Sequence, residues 1–478
     1  MNQAESIEQM TATTPHPKSS SLMCNAAWMA WSGTISIANS VVLWVALARW
    51  REAPELGRFT VVMSAYLIFV ILCSLGLGPY LASEVALRKD RYPLIASASA
   101  LLLTWAAICT ALMSVSGFFI SQSHEVWLAT ALLSLAMLPT GLITVAEAVF
   151  TACGRAHVIA QATTLENLLR TIVPLALLYR GYGLPLICLS FVGVRLAACA
   201  FYAIVARRHL AALRLVEWTV VRELAAKVPT FAGMIILTAL HGQVAAILVN
   251  RLGGETAAAE FGAASRFLLP LAVLLPSYAS VMQPEAARLA AISLTRLGEF
   301  LSRSMGVVIA LTLPFAVGAT LVAQSLLTTV FGARYAGAAV ALSLYTLSLV
   351  PFGLVMIVSR GLIATGTQHI DLIGNAAAVA TNLIVNLLLI PRYGAAGAAA
   401  AQLCSMSVLA AIEIGYATRR LFHLSMWRAV MICTWPLGLM TLAVWQARQL
   451  GLWGAVATGG IVYLGCMWFK RHELKFGV

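Results

Sequence analysis

Charge is scarce in this chain. Only 10% of its 478 residues are Asp, Glu, Lys or Arg, against about a quarter in soluble domains, while 61% are hydrophobic. That balance excludes a water-soluble globular domain and marks a polytopic membrane protein. Acids are the scarcer sign, 18 against 31 Lys and Arg, for a net charge of +13. Such an excess can signal nucleic acid, but here the cations fall in short clusters between apolar runs rather than along one face. The bilayer accounts for them, and no nucleic-acid partner is expected.

Chemistry-bearing motifs are missing too. The nine cysteines are scattered with no C-x-x-C, so they read as small apolar fillers in helices rather than metal ligands or a redox pair. There is no Walker loop, no Gly-x-Ser-x-Gly and no His-Glu-x-x-His, and no soluble insertion could house a catalytic domain. No enzyme activity, cofactor or metal is expected. Residues 1–21 are polar and rich in Ser, Thr and Pro, without the charged-then-apolar order of a signal peptide, and read as a disordered cytoplasmic tail.

What the chain does have is apolar runs. At about 20 residues per crossing, fourteen fit, near 23–48, 60–82, 94–119, 126–150, 158–179, 184–206, 229–250, 260–282, 304–330, 338–362, 369–390, 395–417, 428–447 and 449–469. The loops on the tail side carry nineteen Lys and Arg, and the opposite loops eight, Arg58 among them. By the positive-inside rule both termini are cytoplasmic.

The runs are duplicated. Pro139 and Pro351, Gly154 and Gly366, His157 and His369, and Arg207-Arg208 and Arg419-Arg420 all stand 212 positions apart, and Tyr182-Gly183 and Tyr393-Gly394 stand 211 apart. Each copy ends on an even span, so the copies insert in the same orientation, related by a pseudo-two-fold axis along the membrane normal with a cavity between them. The fold expected is all-α and polytopic, with about fourteen transmembrane helices. It divides into an N-lobe at 22–208, a cytoplasmic linker at 209–228, a C-lobe at 229–420, and an appended helix pair with a short tail at 421–478.

Four arginines lie inside spans: Arg170 in span 5, Arg195 in span 6, Arg266 in span 8 and Arg360 in span 10. A charge at mid-bilayer costs roughly 2.5–3.5 kcal/mol on insertion scales, so each must face protein, water or a partner. Arg360, near the inner end of its span, can also extend to the headgroups. Arg170 follows Glu166 by four residues, the acid-first order of a helical ion pair. Arg195 and Arg266 have no acid at three or four residues' distance, so they line a cavity awaiting an anion or pair with another helix. The interior acids Glu147, Glu166, Asp371 and Glu413 are either proton carriers or ion-pair partners of the inner arginines. His241 either titrates or is a satisfied core residue. Asn375, Asn382 and Asn386 share one face of span 11 and either bond to span 12 or line the cavity.

Three segments carry a family resemblance. Asn382 to Ala399, Phe261-Gly262-Ala263-Ala264-Ser265-Arg266, and Leu75-Gly76-Leu77-Gly78 with Ser83-Glu84-Val85-Ala86 resemble the Wzx-like polysaccharide-biosynthesis flippases of the multidrug/oligosaccharidyl-lipid/polysaccharide (MOP) exporter superfamily. Ser83 departs from the pattern, where many relatives carry a basic residue. The resemblance implies alternating access of two lobes in the bacterial inner membrane. It also implies movement of a polyprenyl-diphosphate-linked oligosaccharide from the cytoplasmic to the periplasmic leaflet, for O-antigen, capsule or exopolysaccharide assembly. The implied partners are that lipid-linked substrate, membrane lipids, and a polysaccharide polymerase with glycosyltransferases. A diphosphate suits buried arginines, and Arg266, Arg195, Arg170 and Arg360 are together the expected substrate-binding set. The alternatives are a cation-coupled multidrug exporter, which the acid-free spans 1 and 7 disfavour, and a lipid II flippase, whose usual Arg-Asp pair in span 1 is absent here.

Overall fold

A computed structural model describes residues 39–87, 92–120, 123–205, 216–425 and 427–469. The expected tail at 1–21, the start of span 1 and residues 206–215 of the expected linker lie outside them. No strand occurs among the described residues. In hydrocarbon every backbone N–H and C=O needs an internal partner, and an apolar run finds those partners only as a helix.

Spans 1 to 6 are α1 (residues 39–50), α2 and α3 (Ala53–Cys73, Leu77–Leu87), α4 (Tyr92–Ile120), α5 and α6 (His124–Ser134, Met137–Ala152), α7 (Ala156–Tyr179) and α8 (Leu184–Val205). Spans 7 and 8 run through α9 (Trp218–Arg266), interrupted at Gly254, and α10 (Leu269–Ile292). Span 9 is α11 (Leu294–Val330), span 10 is α12 and α13 (Ala339–Leu347, Leu349–Ala364), and spans 11 and 12 share α14 (His369–Arg420). The added pair is α15 (Trp427–Ala447) and α16 (Gly451–Phe469). Among the described residues nine helices are long and apolar enough to cross a membrane, and the pair His241–Arg266 with Leu269–Ile292, bent by 47°, adds a tenth crossing.

The duplication is visible in the helix ends. α6 and α13 are both 16 residues long and start 212 positions apart, at Met137 and Leu349. Each is preceded by a break in its span and followed by a glycine in the left-handed region, Gly154 at φ 67° and Gly366 at φ 72°. Only glycine takes that conformation without a steric penalty, so both spans end on the same backbone turn. α14 folds back at Gly394, φ 51°, which brings Asn382 against Ser405.

Two boundaries differ from the expectation. α2 begins at Ala53, so Arg58, expected in a loop, lies inside a helix. α9 begins at Trp218, so part of the expected linker is helical. Its Val220 and Leu224 join Leu77, Leu81 and Leu94 in one apolar cluster, and the Ser97 hydroxyl accepts the Glu217 backbone N–H at 3.0 Å. Apolarity marks where a span crosses; it says little about where a helix continues into water with other surfaces to cover.

The lobes meet tightly at the end that carries the turns at 51–52, 180–183 and 332–338, here the distal end. Arg58 Nη1 lies 2.6 Å from Glu125 Oε2 in its own lobe, and its Nε 2.9 Å from Glu255 Oε1 across the interface. Arg49 donates to the Val330 carbonyl at 2.9 Å and to the Thr329 carbonyl, and Arg334 Nη1 donates to the Arg51 carbonyl at 2.8 Å. Backbones approach closely beneath: a methyl at Gly57 would overlap the Glu255 carbonyl, and one at Gly262 would overlap Thr60 and Trp44.

Candidate functional site

In the N-terminal lobe one interior acid, Glu166, pairs with two interior arginines. Glu166 on α7 accepts hydrogen bonds from Arg195 Nη1 of α8 at 2.6 and 2.7 Å to its two oxygens, and forms a looser ion pair with Arg170 of its own helix, Nε 3.4 Å from Oε1 without a hydrogen bond. The Arg195 Nε also donates to Thr140 Oγ1 at 3.1 Å, just past the break in span 4. Arg170 Nη2 donates to the Tyr66 hydroxyl at 2.7 Å, and its guanidinium sits 5.6 Å from the ring centres of both Tyr66 and Phe191. Of the two options open to Arg195, the geometry realises pairing with another helix. Glu147 accepts a long hydrogen bond, 3.5 Å, from the Tyr202 hydroxyl and forms no ion pair among the described residues.

Arg266 is different. It is the last residue of α9, at the bend in span 8, and no carboxylate reaches it among the described residues. Its guanidinium carbon lies over the Trp44 ring, 3.6 Å from the centroid, so the π face of span 1 supplies part of the attraction that a carboxylate would. Nη1 points at Ser40 Oγ, 3.5 Å away, and Nε is buried with no acceptor. The side chain forms one wall of a cavity of about 530 Å³. The other walls are apolar: Val41 of span 1, Phe315 and Val322 of α11, Met440 of α15, and Trp453 and Tyr463 of α16. The cavity thus offers one cation, with unused donor capacity, in the wall of a greasy trough built largely by spans 9, 13 and 14. It can take an anion joined to a hydrocarbon.

The remaining candidates do not join this cavity. Arg360 is half-buried on α13 with its Nε lacking an acceptor. Asn375 turns back on its own helix, donating to the Asp371 carbonyl and carboxylate at 2.9 Å each. Asn382 donates to Gln402 Oε1 and Ser405 Oγ of span 12 at 3.3 Å, and Asn386 donates to Asn382 Oδ1 at 2.7 Å. Both are buried. His241 Nε2 is 3.4 Å from Gln402 Nε2, an imidazole accepting from an amide. Asp371 and Glu413 are buried between spans 11 and 12.

A family model described as a polysaccharide biosynthesis protein matches residues 46–340, more than half of the chain. The chain belongs to that family. A second model, described as the lipid II flippase MurJ, matches residues 254–459 of this polysaccharide biosynthesis protein. Among solved structures, the lipid II flippase MurJ in an inward closed conformation is similar at 14% identity and a TM-score of 0.74, covering 95% of this chain and 99% of that one. An inward-facing multidrug-resistance MATE transporter of the MOP superfamily follows at 14% identity and 0.65, covering 80% and 94%. A MOP transporter from Pyrococcus furiosus, whose structure was reported for the reversed polarity of its binding pocket, aligns at 13% and 0.58, covering 83% and 95%. No curated protein matches by sequence. The chain is a multi-pass membrane protein of the polysaccharide biosynthesis family, with the fold seen in MOP-superfamily transporters.

Sequence reasoning missed Trp44, Tyr66, and the Arg58, Glu125 and Glu255 trio. Arg58 and its partners stand 67 and 197 positions apart, so no helical spacing could announce them. Trp44 carries a faint signal, an aromatic in a span otherwise without charge.

Proposed function

We propose that this protein flips a polyprenyl-diphosphate-linked oligosaccharide across the bacterial inner membrane, from the cytoplasmic to the periplasmic leaflet, by alternating access of its two lobes. The observation that carries this reading is Arg266, an arginine with no acid partner among the described residues, in the wall of an apolar cavity. A diphosphate is the anion that uses an arginine's fork of donors, and a trough lined by Phe315, Met440, Trp453 and Tyr463 suits the lipid chain attached to it. The positive-inside count places the distal end in the periplasm and both termini in the cytoplasm. The ion pairs and backbone contacts there then describe a state closed to the periplasm. Substrate comes from glycosyltransferases on the inner face, and product goes to a polymerase on the outer one.

A second reading has its own support. The MurJ model covers span 8 through α16, so the cargo could instead be lipid II, which shares the polyprenyl diphosphate and differs in the sugar. A cationic drug finds no support at a cavity whose one charged wall is an arginine.

The test is a flip assay in proteoliposomes, with a fluorescent polyprenyl-diphosphate disaccharide quenched from outside by dithionite. Wild type is expected to expose the lipid and Arg266→Ala to lose this activity at normal insertion; equal rates in both would discard the anion-site reading. Stronger competition by unlabelled lipid II than by the labelled compound's own unlabelled form would select the second reading.

A further inference from the structure

Arg360 is the interior arginine that neither the ion pairs of the N-terminal lobe nor the Arg266 cavity absorbs. It forms no hydrogen bond, ion pair or ring contact with any described residue, and its Nε is shut away from solvent. An arginine that only stretched to the headgroups would keep its donors in water. On α10, Gln283 has the opposite deficit: its Oε1 is buried with no donor among the described residues. The two helices pack side by side, Ala279 and Met282 of α10 sharing an apolar cluster with Ile357 and Val358 of α13. One turn further toward the tail side, on the same helix faces, Ala287 follows Gln283 and Ala364 follows Arg360. Those two alanines line a groove of about 460 Å³, together with Ala290, with Leu294 of α11 and with Leu421 just past α14. No acid lines it, and Glu285, two residues past Gln283, is held by Arg288 at 2.6 and 2.8 Å. A buried polar atom without a partner is costly until something supplies the partner. Here an arginine's donors and an amide's acceptor both go unmatched at the inner end of one apolar groove.

We propose that Arg360, Gln283 and this groove form a second lipid-phosphate site, at the tail end of the C-terminal lobe. The ligand class is a lipid whose phosphate carries a hydroxylated group. The phosphate takes the guanidinium fork, a hydroxyl donates to Gln283 Oε1, and the hydrocarbon chain lies along the alanines. The site faces the leaflet on the tail side, cytoplasmic by the positive-inside count, where the exposed Arg419 and Arg420 add positive potential. Two kinds of lipid have this chemistry, a polyprenyl-diphosphate sugar and phosphatidylglycerol. Placement along span 8 gives the site a role for the first. Gln283 stands 17 residues past Arg266, about 25 Å at 1.5 Å per residue, too far for one diphosphate to touch both. Loading at Arg360 therefore precedes capture at Arg266. The binding claim is independent of the cargo; the loading step rests on the proposed transport.

Binding of the fluorescent polyprenyl-diphosphate disaccharide is measured on the full chain in detergent, in an Arg266→Ala background that removes the first site. One saturable site is expected, weakened roughly tenfold or more by adding Arg360→Gln, which removes a charge-assisted contact, and unaffected by Arg303→Gln, at an exposed cation outside the groove. Undiminished binding in the Arg360→Gln chain would overturn the site. Should that chain fail to insert, Ala290→Phe, which fills the groove, decides the point, and unchanged binding there is equally fatal. Displacement by phosphate-free polyprenol as strong as by polyprenyl phosphate, or by inorganic phosphate alone, would overturn a lipid-phosphate ligand. Phosphatidylglycerol displacing the probe at lower concentration than polyprenyl phosphate would keep the site and overturn loading. In the flip assay, Arg360→Gln with Arg266 intact is expected to raise the lipid concentration for half-maximal rate roughly tenfold while the maximal rate persists. An unchanged half-saturation would overturn loading, whereas no flipping by wild type beside normal binding would count against the proposed function alone.

Discussion

Arg195 and Glu166, 29 positions apart on neighbouring spans, meet at 2.6 Å deep in the N-terminal lobe. Glu166 also holds Arg170 at 3.4 Å. One carboxylate therefore compensates two guanidiniums in a region with little water. Removing one partner of a buried pair costs about 3–5 kcal/mol, because the survivor stays charged and unpaired. Glu166→Gln is expected to lower the melting temperature in detergent sharply. The double variant Glu166→Gln with Arg195→Met should recover most of the loss. A single variant melting like wild type would mean that the pair contributes nothing.

Trp44 is the platform for Arg266. A desolvated cation–π contact is worth about 2 kcal/mol or more, so Trp44→Ala should leave the arginine less ordered and slow flipping roughly 10- to 30-fold by the tenfold per 1.36 kcal/mol relation. Trp44→Phe keeps a π face and should recover part of the rate. Flip rates of the two variants, compared at equal insertion, check this.

Arg58 joins the lobes at the distal end through Glu255 while Glu125 holds it in place. Partly exposed pairs are worth up to about 1 kcal/mol each. Only the Glu255 pair crosses between the lobes, so Arg58→Ala should shift the population toward distal opening by up to about 1 kcal/mol, a factor of up to roughly 5. Thr60 is buried where span 2 meets Gly262. In a cysteine-free background, Thr60→Cys should label slowly with an impermeant maleimide and several-fold faster once Arg58 is Ala. The same labelling should rise in Gly57→Ala, whose methyl overlaps the Glu255 carbonyl. No change in either would show that these contacts do not hold the end closed.

Asn382 bonds across to Gln402 and Ser405. Asn382→Leu leaves these groups with unmet hydrogen bonds, a cost of about 1–3 kcal/mol, so melting temperature should fall while flipping at low temperature persists. Loss of flipping at unchanged stability would instead place the stripe on the substrate path.

Composition and periodicity carried much of this architecture. The scarcity of charge and the length of the apolar runs determined a helical membrane protein, because hydrocarbon tolerates no unpaired backbone. The 212-residue offset determined that α6 and α13 would be equivalent, because matched prolines and glycines impose matched helix starts and stops. Interior arginines were equally plain, since a lipid-facing charge is too costly to be accidental. The contact between Glu166 and Arg170 follows from a spacing of one helical turn. Tertiary structure alone decided which of Arg195 and Arg266 stays without a carboxylate among the described residues. Arg195 and Arg266 look alike along the chain, but packing brings Glu166 to the first and Trp44 to the second. Nothing local encodes that choice, because Coulomb attraction acts through space and its partners here lie 29 to more than 200 positions away.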